Sequence, residues 1–169
     1  KCGVLVQGDK TGDTPLLELV KEYIKNKYDK TGNVFLGLVN RIDRPVSGIV
    51  IFARTSKALS RMNDKLKNRQ IRKLYWLFIS NKFKSNEGKI EGWFKKNKKI
   101  NKSFFSKEEV KDSKYGSLKY RIIEKLEKYL KIEVDLETGR HHQIRCSFSE
   151  IGFPILGDLK SVSDTHLRA

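Results

Sequence analysis

The sequence predicts an α+β fold: a mixed, largely antiparallel central sheet with flanking helices. Three observations carry this. The stretch "YLKIEVDLE" alternates strictly, with Leu130, Ile132, Val134 and Leu136 on one side and Lys131, Glu133, Asp135 and Glu137 on the other. That is the period of a strand with one wet face, the mark of antiparallel pairing. Two segments, "TPLLELVKEYIKNKYDK" and "TSKALSRMNDKLKNRQ", repeat apolar residues at helical spacing. The remaining apolar runs do not alternate with helices in βαβ order, which argues against a parallel sheet. At 169 residues and 38% hydrophobic content, residues 1–169 fit a single domain with a modest core.

Taken in order, "CGVLVQ" reads as a strand and "GDKTGD" as a turn. The first helix follows, with Thr14 as its N-cap, Pro15 at its first position and Leu16, Val20, Tyr23, Ile24 and Lys27 at helical spacing. "VFLGLVNRI" is a strand, "DRPVSG" a turn and "IVIFAR" a strand apolar on both faces, hence central in a sheet. The second helix carries Leu59, Met62 and Leu66 on its apolar side. "IRKLYWLFIS" is again apolar on both faces and reads as a buried strand. Residues 81–116 mix Gly, Asn and Lys with isolated aromatics and read as short, irregular strands in an exposed excursion. "SLKYRIIEKLEKYLKIEVDLE" gives an antiparallel hairpin. In "HHQIRCSFSEIG" a third helix places Ile144, Phe148 and Ile151 together, with Gly152 to end it and Pro154 to prevent its resumption.

Lys and Arg number 36 against 20 acids, a net charge of +16. Such a balance favours a polyanionic partner, RNA or DNA before a membrane. No stretch approaches the ~18 apolar residues of a membrane span, and no signal peptide is visible. Cys2 and Cys146 lie far apart without a CxxC, the usage of reduced thiols in a cytoplasmic protein. No P-loop, dinucleotide fingerprint or metal-ligand spacing is present, so no cofactor and no metal are expected. His141 and His142 are adjacent, and adjacent histidines rarely converge on one ion.

Four features could carry chemistry. Asp43 leaves a strand between Arg41 and Arg44, held yet reachable, and nearby arginines favour its ionised form. The plainer reading is a turn-forming carboxylate with surface ion pairs. Tyr75 is either a strand aromatic in the core or a ring that stacks a base and lends its hydroxyl to proton transfer. "LETGRHHQIRCSF" sets Arg140 at a turn before a helix, a setting suited to phosphate. On the same helix Arg145 could point inward, where it would need an acid, with Asp43 as the candidate. Finally, "KKNKKINKSFFSK" is basic with interleaved aromatics, either a solvated hairpin or an RNA contact.

Together the motifs resemble those of the RluA-like RNA pseudouridine synthases. "NRIDRPVSGIVIFARTSKA" is similar to the family's Arg-Leu-Asp segment, "RKLYWLF" to its Lys-x-Tyr strand, and "LETGRHHQIRCSFSEIGFPILGD" to its Thr-Gly-Arg-x-His-Gln-Ile-Arg segment with the Gly-x-Pro-(Ile/Leu)-x-Gly-Asp that follows. The three occur in the family's order. The resemblance implies two fused halves around a central RNA-binding cleft, and isomerisation of uridine to pseudouridine in ribosomal or transfer RNA by a cytoplasmic monomer. It implies Asp43 as the catalytic aspartate, Tyr75 as the ring stacked on the target uracil and Arg145 as the basic residue that pairs with the aspartate. Arg41 and Arg44 would face RNA, Arg41 beside the flipped base, and Arg140, His142 and Gln143 would line the RNA side of the cleft. Asn40 stands where the family usually has His, and Ile42 and Pro45 are milder departures. The final "GDLKSVSDTHLRA" is shorter than the family's pattern, and residues 1–169 are expected to lack the amino-terminal RNA-binding module of some relatives. Two competing classes are a non-catalytic RNA binder on the same fold and a basic ribosomal structural protein. Neither requires the acid, the phenol and the guanidinium together.

Overall fold

The computed structural model describes residues 2–9, 11–97 and 99–158, and the chain divides into two units, residues 1–71 and 72–169. The architecture is α+β, and every ladder among the described residues is antiparallel.

The first unit contains α1 (Leu16–Lys27), β1 (Gly37–Leu38), β2 (Phe52–Ala53) and α2 (Ser56–Lys67). Helix α1 begins one residue later than expected, with Pro15 in the cap position and no side-chain cap from Thr14. Its open N–H groups are met instead by backbone: Leu16 N donates to Leu5 O at 2.6 Å and Leu17 N to Val6 O at 3.3 Å. The "CGVLVQ" segment is thus no strand; its carbonyls close a helix end. Helix α2 is capped as its sequence suggests, Thr55 Oγ1 accepting from Ala58 N at 3.1 Å. The expected long strands around Asp43 shrink to two residues each, paired Gly37 to Ala53 and Leu38 to Phe52. The second run is not central: Ile49 stands 81% exposed. Gly37 is needed for packing, because a Cβ there would meet Leu59 Cδ2 of α2 at 2.6 Å.

The second unit holds β3 (Leu74–Ser80), β4 (Glu87–Asn97), β5 (Lys102–Ser106), β6 (Lys114–Lys125), β7 (Tyr129–Leu136) and α3 (Gln143–Glu150). Its sheet runs β3-β7-β6-β4-β5. Leu77, Ile79, Ile90, Leu118, Leu130, Ile132, Val134 and Leu136 form the inner face, and Phe148 of α3 is fully buried against them. The alternation expected for β7 is the one observed. Strand β3, expected to be buried on both faces, lies at the sheet's edge in this order, with Trp76 65% exposed. Its indole lies over the charged outer face: Nε1 donates to Glu133 at 3.1 Å and the Lys131 ammonium sits 4.4 Å from the ring centre.

The excursion expected at 81–116 instead holds an eleven-residue strand, β4, bordered in the sheet by β6 and β5, together with β5 itself and the start of β6. The glycines of β4 are slots rather than breaks. A Cβ on Gly88 would fall 2.6 Å from Tyr120 Oη, and one on Gly92 would fall 2.5 Å from Phe105 Cζ. The rings of neighbouring strands fill the space that these residues leave. Helix α3 ends as its sequence predicts. Gly152 adopts φ +82°, its N–H reaches Ser149 O at 3.1 Å, and Phe153 N reaches Phe148 O at 2.9 Å, a Schellman closure.

Candidate nucleic-acid-modifying site

In the first unit the Asp43 turn is fixed mainly by its neighbours' side chains. Beyond the short β1–β2 ladder, Val39 N donates to Ile51 O at 3.0 Å. The Asn40 amide then continues the pairing: Nδ2 donates to Ile49 O at 3.0 Å, and Oδ1 accepts from Ile51 N at 2.8 Å. A side chain here does the work of one more ladder rung, and the chain leaves it into the turn. That turn is closed by Val46 N to Asp43 O at 2.9 Å, with Asp43 half-buried. Arg44 faces the protein's own amino-terminal segment. Its Nε donates to Gly3 O at 2.9 Å, its Nη1 lies 2.7 Å from Asp13 Oδ2, and its carbonyl accepts from Gly3 N at 2.7 Å. Arg41 is exposed, with Nη1 3.3 Å from Gln7 Oε1.

In the second unit Tyr75 pairs with Val134 across β3 and β7. By strand alternation it shares the inner face with Leu77 and Ile79, and it is partly buried at the margin of the core. The segment between β7 and α3 is a hydrogen-bonded knot. Ser117 N donates to Thr138 Oγ1 at 2.9 Å, and Thr138 Oγ1 donates to Gln143 Oε1 at 2.8 Å. Gln143 Nε2 reaches Ser117 O at 3.1 Å, while Gln143 Oε1 accepts from Arg140 N at 2.9 Å. Gln143 is only 2% exposed, so its amide shapes the turn from within; an RNA-facing role for it has almost no surface to act through. Arg140 is held by Nε to Tyr115 O at 2.7 Å. His142 caps α3 in the left-handed region at φ 51°. Its ring lies 3.8 Å from that of His141, which shares a hydrogen bond of 2.8 Å with Ser103 Oγ.

Arg145 pairs with Asp158, an acid that the sequence does not single out. Nε donates to Asp158 Oδ2 at 2.8 Å, and Nη2 pairs with Asp158 Oδ1. The two side chains are 15% and 7% exposed. The Gly-Asp ending of the third motif was the available signal, since an acid directly after a turn glycine can be folded back onto the helix before it. Next to Arg145, burial pushes the Cys146 thiol up to about 11, and its sulfur donates to Ser103 O at 3.0 Å. This cysteine is therefore a packed, protonated thiol, not a nucleophile. Among the described residues no group of three or more His, Cys, Asp or Glu side chains is arranged to hold a metal, and no helix is long and apolar enough to cross a membrane.

Comparison with known proteins gives a consistent answer. Residues 1–150 match the family model described as RNA pseudouridylate synthase. An uncharacterized RNA pseudouridine synthase of Bacillus subtilis, YlyB, is 30% identical over 124 residues, covering 73% of this chain and 40% of that protein. The ribosomal large subunit pseudouridine synthase D of Borreliella burgdorferi is 31% identical over 122 residues, covering 72% and 37%. Among solved structures, the human RNA pseudouridylate synthase domain containing 4 superposes with a TM-score of 0.80 at 18% identity, over 96% of this chain and 64% of that one. That likeness speaks for the fold. The chain spans about two-fifths to one half of the length of the curated relatives it matches.

Proposed function

The chain belongs to the RNA pseudouridylate synthase family, in its RluA-like branch, and from that premise we propose that it isomerises particular uridines of structured RNA to pseudouridine with Asp43 as the essential carboxylate. The observation that carries the proposal is the extent of the family match. Residues 1–150 include Asp43, Tyr75, Arg145 and the whole turn from Thr138 to Gln143.

The reaction breaks the N1–C1′ bond of uridine, turns the uracil, and joins C5 to the same sugar carbon. C5 loses its proton and N1 ends protonated, so product and substrate are isomers and no oxidant or energy carrier enters the balance. A stacked base is out of reach, so the uridine must be extruded, at a cost of a few kcal/mol that phosphate contacts and stacking offset. In this reading Asp43 acts as the anion, Arg145 keeps it ionised, and Tyr75 stacks on the uracil and assists loss of the C5 proton. Arg41, Arg140 and His142 face RNA. Arg44 and Gln143 serve mainly to hold the two turns from which those groups project.

Ribosomal RNA is the proposed substrate, supported by relatives named for the large ribosomal subunit, and the cytoplasm the proposed site of action. The test is to map pseudouridine in total RNA from cells with and without the gene. Loss of one or a few modified ribosomal positions is expected. A loss confined to transfer RNA would move the substrate assignment. An unchanged map, with RNA binding intact, would favour the non-catalytic reading.

A further inference from the structure

The Arg145–Asp158 pair is the most enclosed ion pair among those described, and the route by which Asp158 reaches it is informative. After α3 closes at Gly152, Phe153 sets its ring 4.8 Å from Phe83, edge to face. Ile155 packs on the inner-face core. Leu156 N then donates to Phe78 O on β3 at 2.9 Å. Gly157 takes φ +80°, a conformation that L side chains rarely adopt, and Asp158 N closes the turn onto Ile155 O at 3.1 Å. The segment therefore leaves the helix of Arg145, fastens to the strand of Tyr75, and returns a carboxylate to the guanidinium.

Stability alone is a poor reason for this arrangement. A buried ion pair often contributes no more than an apolar pair of the same volume. What a two-point grip on Nε and Nη2 does provide is orientation, because it fixes the guanidinium plane. From this we infer that Asp158 is a positioning residue for the reaction: it fixes the plane of the Arg145 guanidinium, the group proposed to serve the catalytic carboxylate, and couples the strand of Tyr75 to the helix of Arg145. The inference rests on the proposed role of Arg145.

The test uses a transcript labelled with 5-tritiated uridine and containing the uridine whose modification disappears on gene deletion. Tritium release is followed for the wild type, Asp158→Asn, Asp158→Glu, Arg145→Lys and the Asp158→Asn/Arg145→Lys double variant, each checked for folding by thermal melting. Asp158→Asn should lower kcat by about 10- to 100-fold, the scale of a small misplacement of a reacting group, with KM changed less than about twofold. The double variant should be no slower than Arg145→Lys alone by more than about twofold, since Asp158 acts through Arg145. Wild-type kcat in Asp158→Asn, a rise in KM alone, or a full further loss in the double variant would overturn the inference. If Asp158→Asn does not fold, Asp158→Glu decides. The carboxylate is kept but displaced by one methylene, so kcat should fall with KM unchanged, and a wild-type kcat refutes the role. Wild-type turnover by Arg145→Lys would instead remove the proposed role of Arg145 itself.

Discussion

Asp43 sits where an Asn side chain has taken over from the backbone ladder, and this is what makes its turn a rigid mount. Replacing it with Asn keeps the shape and removes the charge. Product formation should fall by more than a thousandfold while RNA affinity stays within about twofold, measured by tritium release and filter binding; retained activity above that level excludes an essential carboxylate. Tyr75→Phe separates ring from hydroxyl: binding should persist and turnover slow by about 100-fold if the phenol moves a proton, whereas an unchanged rate assigns the function to the ring alone. The candidates at 43, 75 and 145 stand out in the sequence because each lies in a short motif. Asp158 does not, because its partner is thirteen positions earlier and the two meet only after the chain has touched β3.

At the scale of elements, helices and the alternating hairpin were legible because their signals are local and periodic. Strand β4 was not, since Gly88 and Gly92 look like breaks until the rings beside them are known. That gives a stability prediction. Gly92→Val would drive Cβ to 2.5 Å from Phe105 Cζ and 2.6 Å from the Ser106 carbonyl, one of them backbone that cannot swing aside. The variant should lose about 1–3 kcal/mol in urea unfolding, and a loss below a few tenths would mean that the β4–β5 contact yields. The outer face makes a pH prediction. Hydrogen bonding from Trp76 first, then from Arg121, holds the Glu133 carboxyl below its ordinary 4.5. A depressed folded value stabilises above the ordinary pKa and ceases to as pH falls through the folded one. The melting temperature of wild type should therefore exceed that of Glu133→Gln at pH 7, and the gap should close as pH falls below 4.5.

For the whole molecule, the net charge of +16 announces a polyanionic partner without saying where it lies. The described ion pairs sort the cations. On the sheet's outer face Arg72 is engaged by Asp135, Arg121 by Glu133, Lys119 by Glu137 and Lys89 by Glu91, so this face is close to balanced. The β4–β5 hairpin differs, because "KKNKKINK" over residues 95–102 holds five lysines and no acid, and Lys95, Lys96, Lys99 and Lys102 are exposed. Ser103 at its base bonds His141 of the Arg140–His142 turn, which makes the hairpin a continuation of the proposed RNA-facing edge. Each lysine on a phosphate steepens the dependence of log K on log salt by about 0.7–0.9. Changing those four lysines to Gln should flatten the slope by roughly 3–3.5 and raise KM at physiological salt, with kcat preserved once RNA is saturating. Lys119→Gln with Arg121→Gln should leave the slope unchanged. An unaltered slope in the hairpin variant, or a flattened one in the sheet variant, would assign the phosphate contacts to the sheet face and leave the hairpin a solvated arm.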